Sequence, residues 1–435
     1  MRIIRKLSVF LAAACTGAGL QAQTPMPLDS LFSLVERGSK ALQVQKTGTD
    51  AAQLGAESAK RQRLPDINTS LSLSYNGNVL LTDRDFSNGQ WQSSPHFGNS
   101  FSIEARQLVY GGGAVNAAIE MARLQHSQAE TQTHSTREQM RFVALAQYLD
   151  LYRLQNRIEV VQSNIELTNV LVADITARRE QGMALSNDVT RYELQLQNLN
   201  LQLTQLRDQR KIQNYQLCHT LGLDTGTEIM PDAAVIDAAY ATEGEPHWQE
   251  LAAGTSPSLK LAAIGTKMAE QSERLARSAM LPKVALVAAD NFNGPITFEL
   301  PPVDKNLNVW YVGVGINYNL SSLFKSNKDL ERARTATTQS RQAQALAAEQ
   351  LDNNVQQAYT EYLQSYVELD TRRTSVDLAG ENYRVVNERY LNQLALITDM
   401  LDASSVKLDA ELSEVDARIN VAYTYYKMKY IAGTL

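Results

Sequence analysis

Residues 387–403 read NERYLNQLALITDMLDA, and they carry one helical pattern into a reversal and another out of it. No Gly or Pro falls between Leu391 and Ile397, yet the pattern turns over there. Asp399 and Asp402 follow at once, three apart, so they share one face of the outgoing helix. Residues 177–190, ARREQGMALSNDVT, have the same layout. Gly182 stands six residues before Asp188, Gln393 stands six before Asp399, and the two copies lie 211 apart. A chain that says this twice is an internal repeat, and a repeat decides the architecture before any single residue does.

Outward from the two reversals lie long helical stretches. Residues 114–180 hold no Gly or Pro, and Phe142, Leu145, Leu149 and Tyr152 step by three and four. At ~1.5 Å per residue this is a rod of ~100 Å. The return helix over 187–221 is rich in leucine. Its leucines alternate in part like a strand, but Leu196, Leu199, Leu203 and Leu206 fit an amphipathic helix. The second copy runs over 325–390, with Val355, Tyr359, Tyr362, Tyr366, Leu369, Val376 and Tyr383 on heptad positions. After the reversal, Leu401, Ser405, Leu408, Leu412, Val415, Ile419, Ala422 and Tyr426 keep a heptad to the end.

Each long helix is preceded by two strand-like segments. After Leu64-Pro65, residues Ile67, Thr69, Leu71, Leu73 and Tyr75 alternate with Asn68, Ser70, Ser72 and Ser74. Phe101, Ile103 and Ala105 alternate with Ser102, Glu104 and Arg106. After Leu281-Pro282, Val284, Leu286 and Ala288 share a face. In the fourth segment Trp310, Val312, Val314, Ile316 and Tyr318 oppose Tyr311, Gly313, Gly315, Asn317 and Asn319. This is period-2 patterning with one apolar and one small polar face. Each strand is ~10 residues long, the length that crosses a bilayer when tilted. The aromatics Tyr75, Trp310 and Tyr318 bound the apolar band, as residues at a membrane interface do. A soluble sheet covered by helices explains the alternation but not the aromatic ends. Strands in lipid survive only in a closed barrel, and four are too few to close one. The chain is therefore expected to supply a share of a barrel built by several copies. Residues 28–63 and the stretch opening at Ser256-Pro257 read as the helices that lead into the two strand pairs.

The expected organisation is a signal peptide at 1–22, a first repeat at 23–221, a linker at 222–255 and a second repeat at 256–435. The first repeat holds a β-hairpin over 66–110 and a tip at 181–188; the second holds a β-hairpin over 283–320 and a tip at 391–398. Arg2, Arg5 and Lys6 precede an apolar run too short to span a bilayer, and Leu20-Gln21-Ala22 offers a cleavage site. Cys15 raises the alternative of a lipid-modified start, although Ala12 occupies the position where that pattern wants Leu. The other cysteine, Cys218, lies in an apolar helical pattern and reads as a small buried hydrophobe.

The net charge of −6 becomes −9 without the first 22 residues, and no basic tract offsets it, so nucleic acid is not an expected partner. His96, His126, His134, His219 and His247 are scattered, with no metal-ligand spacing, no nucleophile motif and no cofactor signature. No enzyme is expected. Gly111-Gly112-Gly113 leaves a strand for a helix, as a phosphate loop does, but the spacing is wrong and the matching place at 321–324 has no glycine. It reads as a flexible bend.

The order of elements, the 211-residue repeat and the two tips resemble the TolC family of outer-membrane efflux proteins. The resemblance spans nearly the whole chain. It is carried most specifically by RYLNQLALITDMLDA (389–403), GMALSNDV (182–189), QLVYGGG (107–113) and IAGTL (431–435). It implies a mostly helical fold with a membrane β-barrel share. Three copies would contribute four strands each to a 12-stranded barrel in outer-membrane lipid, and their coiled-coil hairpins would form a periplasmic tunnel. The implied partners are a periplasmic adaptor (a membrane fusion protein) and an inner-membrane transporter of RND or ABC type. The implied cargo is small molecules or proteins. Asp399 and Asp402 match an acidic pair lining the gate, where six carboxylates in a trimer would favour cations. Asp188 and Tyr390 match residues tying neighbouring hairpins in the closed state. This chain departs from the family at Ala395, where a basic residue completes that tie, and at Gln393, which replaces the usual tip glycine. Read from the residues alone, Asp188 and Asp399 also suit a helix N-terminus, where the macrodipole favours negative charge. The alternative from another class is a periplasmic coiled-coil rod or adhesin without a channel.

Overall fold

The computed structural model describes residues 25–435 apart from 237, 239, 241 and 242. The expected signal peptide at 1–22 and Cys15 lie outside the described residues. Proline and small-residue punctuation sets the order of elements. Helices α1 (Leu28–Gly38) and α2 (Lys40–Arg61) occupy the stretch that reads as one helix in the sequence. The break comes at Ser39, whose Oγ accepts from the Leu42 N–H at 3.5 Å and caps α2. Gly38 lies so close to Leu221 that a Cβ there would sit 1.8 Å from the Leu221 carbonyl oxygen. Only glycine fits that approach.

Strand β1 (Asp66–Tyr75) is followed by the short pair β2 (Val79–Leu81) and β3 (Gln90–Gln92), then β4 (Phe97–Tyr110). The stretch between β1 and β4 thus contains its own two-stranded sheet. Helix α3 (Ala114–Glu180) runs 67 residues, and α4 (Ser186–Leu221) returns. A 3₁₀ turn (Ala233–Val235) and α5 (Glu245–Thr255) follow, so the segment read as linker carries a helix of its own. Trp248 and Ala252 anchor α5 by burial. Then come α6 (Pro257–Ser278), β5 (Lys283–Gly294), β6 (Leu307–Asn317), the single turn α7 (Ser322–Lys325), α8 (Asn327–Leu391) and α9 (Ile397–Ala432).

The repeat is visible in backbone detail. Helices α4 and α9 each have 36 residues and end on left-handed glycines, Gly222 (φ 69°) and Gly433 (φ 74°). Both ends close with the same motif: Leu223 N–H donates to Cys218 O at 2.9 Å, and Thr434 N–H to Lys429 O at 3.0 Å.

The described residues form two compact units, and both cut across the sequence repeats. Of the described residues, one takes those within 25–38, 144–240 and 368–422; the other takes those within 39–143, 243–367 and 423–435. In the first unit, Leu199, Leu203 and Leu206 of α4 are buried with Val161, Leu408 and Leu412, while Leu194 and Leu201 are exposed. The three-four steps, not the alternation, therefore describe this helix. Cys218 is fully buried in the same unit. Its thiol donates to Thr227 O at 3.3 Å, and burial pushes its pKa up. In the second unit the helices pack through small and hydroxylated residues. Thr49 and Thr133 share a hydrogen bond of 2.8 Å between α2 and α3, and Thr266 donates to Gln344 Oε1 at 2.9 Å between α6 and α8. Phe142 stacks on Tyr430 with centroids 4.8 Å apart.

Candidate functional site

The first candidate site is the sheet of the second unit. Its order is β1-β4-β5-β6, antiparallel throughout. The register aligns the apolar faces of all four strands. Leu71 pairs with Phe101 and Phe101 with Phe292; Ala288 pairs with Val312 and Leu286 with Val314. A one-residue slip would have put each apolar set against a polar one. The opposite face carries Ser70, Ser102, Ser100 and Asn293, joined by a 2.8 Å bond between Ser70 and Ser102 and a 2.6 Å bond from Ser100 Oγ to Asn293 Oδ1. The apolar face is uncovered: Leu71 is 69 % exposed, Val312 71 % and Ile316 72 %. An apolar face this exposed marks a surface for interaction with an apolar environment or partner. Among the described residues, nothing pairs with the outer edges of β1 and β6.

The aromatics fall at two levels of this face. Tyr75 ends β1 opposite Phe97 and stacks on His96 at 5.1 Å. Trp310 lies near the same, loop-side end, opposite Asp290. Tyr318 lies one residue past the helix-side end of β6, so it flanks the strand instead of belonging to it.

The second candidate site is the pair of tips, both in the first unit. Gly182 (φ 77°) and Gln393 (φ 60°) take the same left-handed conformation at matching places. Met183 N–H donates to Arg178 O and Leu394 N–H to Arg389 O, each at 2.8 Å. The outgoing helices also begin alike. Asp188 Oδ2 accepts from Leu185 N–H at 3.1 Å, and Asp399 Oδ2 accepts from Leu396 N–H at 2.9 Å. Both aspartates therefore cap helix N-termini. Asp399 and Asp402 are exposed, and Met400 between them is fully buried. Beneath the tips, Met400, Tyr192, Ile175 and Val189 form one apolar cluster, with Tyr383 and Tyr390 packed against it. Burial raises the Tyr390 hydroxyl pKa, and the Asp188 charge raises it further. Among the described residues, no hydrogen bond joins Asp188 to Tyr390. What bridges the tips instead is Arg178. Its Nε donates to Asp174 Oδ2 at 2.9 Å and its Nη1 to Leu391 O at 3.3 Å. Arg178 is the residue that sequence reading missed; its i,i+4 partner Asp174 was the available signal.

Residues 248–434 match the family model for outer membrane efflux proteins. The whole chain shares its fold with solved outer-membrane channels. It is 16 % identical to VceC of Vibrio cholerae, with a TM-score of 0.78 over 93 % of this chain and 96 % of that one. It is 13 % identical to the CmeC outer membrane channel of Campylobacter jejuni, with 0.78 over 94 % and 85 %. For the open state of the MtrE outer membrane channel of Neisseria gonorrhoeae the values are 14 %, 0.75, 94 % and 89 %. No curated protein sequence matches the chain. Residues 248–434 thus carry an outer membrane efflux protein domain, and the chain has the fold of TolC-like outer-membrane channels.

Proposed function

We propose that three copies of this chain form an outer-membrane conduit for efflux. The observation that carries the reading is the sheet, with one apolar face running through four strands and two unpaired edges. In hydrocarbon each unpaired backbone group costs several kcal/mol. Pairing β6 of one copy with β1 of the next removes both edges, and three copies give 12 strands. The Ser- and Asn-bearing face then lines a wet lumen. No described helix is long and apolar enough to cross a membrane; the case for the sheet as the membrane element rests on its own apolar face and open edges.

The tips act as the periplasmic gate. Asp399 and Asp402 supply the acidic constriction. Capping fixes Asp399 through one oxygen on Leu396 N–H. Asp188 and Tyr390 serve as ties to a neighbouring hairpin. An exported leader directs the chain to the outer membrane. A periplasmic adaptor and an inner-membrane transporter deliver small molecules or proteins to the conduit, which does no chemistry of its own.

Purified protein in planar bilayers is expected to give discrete, cation-favouring conductance. Asp399→Ala with Asp402→Ala is expected to remove the cation preference while leaving conductance. Silent bilayers, with protein that stays soluble without detergent, would support the rod reading instead.

A further inference from the structure

Four arginines converge where α2 and α6 hand the chain to β1 and β5. Arg63 precedes β1, Arg274 and Arg277 lie at the end of α6, and Arg123 lies near the start of α3. They border a cavity of about 690 Å³. Gly112 (φ 64°) forms part of its wall, where a Cβ would come within 2.9 Å of Leu281 Cβ. Arg123 pairs with Glu120 at 3.4 Å. Arg63 Nη2 donates to Asn116 Oδ1 at 2.9 Å, and Arg274 Nη1 to Gln271 Oε1 at 3.3 Å. Among the described residues Arg63, Arg274 and Arg277 form no ion pair, and Glu120 is the lining's one carboxylate. The cavity thus holds an excess of positive charge.

A second cavity of about 290 Å³ shares Arg63, Gly113 and Asn116 with the first, and its other walls include Leu108, Val109 and Tyr110. Val109 is 62 % exposed. The strand register explains these side chains. Leu108 pairs with Ala285 and Tyr110 with Val284, so Val109 is an unpaired bulge residue. The bulge turns Tyr110 onto the apolar face shared by Val284 and Ile316. A cationic cavity therefore adjoins one with an apolar wall of Leu108, Val109, Tyr110 and Val115 at the helix-side rim of the sheet.

We infer that the joined cavities hold an anionic glycerophospholipid. Its phosphate sits among Arg63, Arg274 and Arg277, and an acyl chain lies along Val109 and Tyr110. Guanidinium groups bind phosphate through paired N–H donors. An excess of arginine over carboxylate selects a headgroup with net negative charge over a zwitterionic one. The inference rests on the sheet being a membrane element.

The test uses the assembled protein, purified in neutral detergent, stripped of lipid, and incubated with phosphatidylglycerol, phosphatidylethanolamine or inorganic phosphate. Bound molecules are counted by native mass spectrometry. Phosphatidylglycerol is expected to be retained in preference to the other two. Arg→Gln at 63, 274 and 277 is expected to weaken retention about fivefold each and on the order of a hundredfold together. Val109→Asn is expected to weaken lipid retention through the apolar cavity. Equal retention of the two lipids, or unchanged retention by the triple variant, overturns the site. Inorganic phosphate competing on equal terms marks a simple anion site and overturns the lipid assignment. Arg277→Gln alone keeps the test decisive if the triple variant does not assemble. Bilayer conductance is read in parallel: lost lipid selectivity with intact conductance overturns only this inference, whereas silent bilayers overturn the membrane reading beneath it.

Discussion

Gln393 occupies a backbone conformation that its counterpart Gly182 adopts without a Cβ. A side chain in the left-handed region costs about 1–2 kcal/mol, and the extra chain entropy of an unfolded glycine offsets about half of that. Gln393→Gly is therefore expected to stabilise the second tip by roughly 0.5–1 kcal/mol. Slower hydrogen exchange at the amides of 391–396 would show it; faster exchange would mean that the Gln393 side chain itself holds the tip. A second residue-scale expectation concerns Glu138. Its side chain is buried, and Oε2 accepts from Leu435 N–H at 2.7 Å. Burial raises its carboxyl pKa above the ordinary 4.5, against the lowering effects of the Leu435 N–H and of His134, Arg141 and Arg137. A raised folded pKa means that its stabilising contribution is complete below about 4.5 and is lost as pH rises through the folded value. Glu138→Gln is expected to flatten stability against pH just above 4.5. Thermal midpoints across pH 4–7 check this, and an unchanged slope would assign the dependence elsewhere.

Among the elements, the strands give the sharpest contrast, because neighbouring residues on one strand face opposite surroundings. Val312 lies on the apolar face opposite Ala288, and Ser72 lies on the polar face opposite Ser100. Arginine on a lipid-facing position near mid-membrane costs about 2–4 kcal/mol, whereas a lumen position tolerates it. Val312→Arg should reduce the amount of protein reaching the outer-membrane fraction. Ser72→Arg should assemble normally and shift conductance toward anions. Equal tolerance of both would remove the membrane assignment of the two faces. The helices show a different balance. Along α8, Leu351, Val355, Ala358, Tyr362, Ser365 and Leu369 are buried in four-three steps. This stripe is shifted from the aromatic heptad read in sequence, since Tyr366 is 39 % exposed and Tyr359 is half-buried. The stripe and the heptad share Val355, Tyr362 and Leu369, but Ala358 and Ser365 take the other close-packed places and leave the Tyr359 and Tyr366 rings at the margin.

At the scale of the whole molecule, the proposed conduit needs closure around an axis, and in that proposal one chain supplies a sector. The unpaired edges of β1 and β6 are where that incompleteness shows in the backbone. A trimer mass in detergent, with conductance that disappears when the protein is monomeric, is the expected result. A conducting monomer would contradict the shared barrel. Asp399 and Asp402 belong to this scale as well, because the cation preference proposed for them requires three copies to meet.

The sequence by itself determined the repeat, the strand faces, the long helices and the two reversals. Each of these is written in spacing along the chain, and period 2 or 3.6 is a local property of the backbone. Tertiary structure decided what depends on residues far apart. Gly38 is required because Leu221 approaches it, Arg178 crosses between the tips, and the Val109 bulge appears only against β5. The arginine cavity draws on residues from three separate stretches, so no single window of sequence contains it. The compact units cut across the repeats for the same reason: repetition records how the chain is written, whereas packing is set by which surfaces meet when it folds.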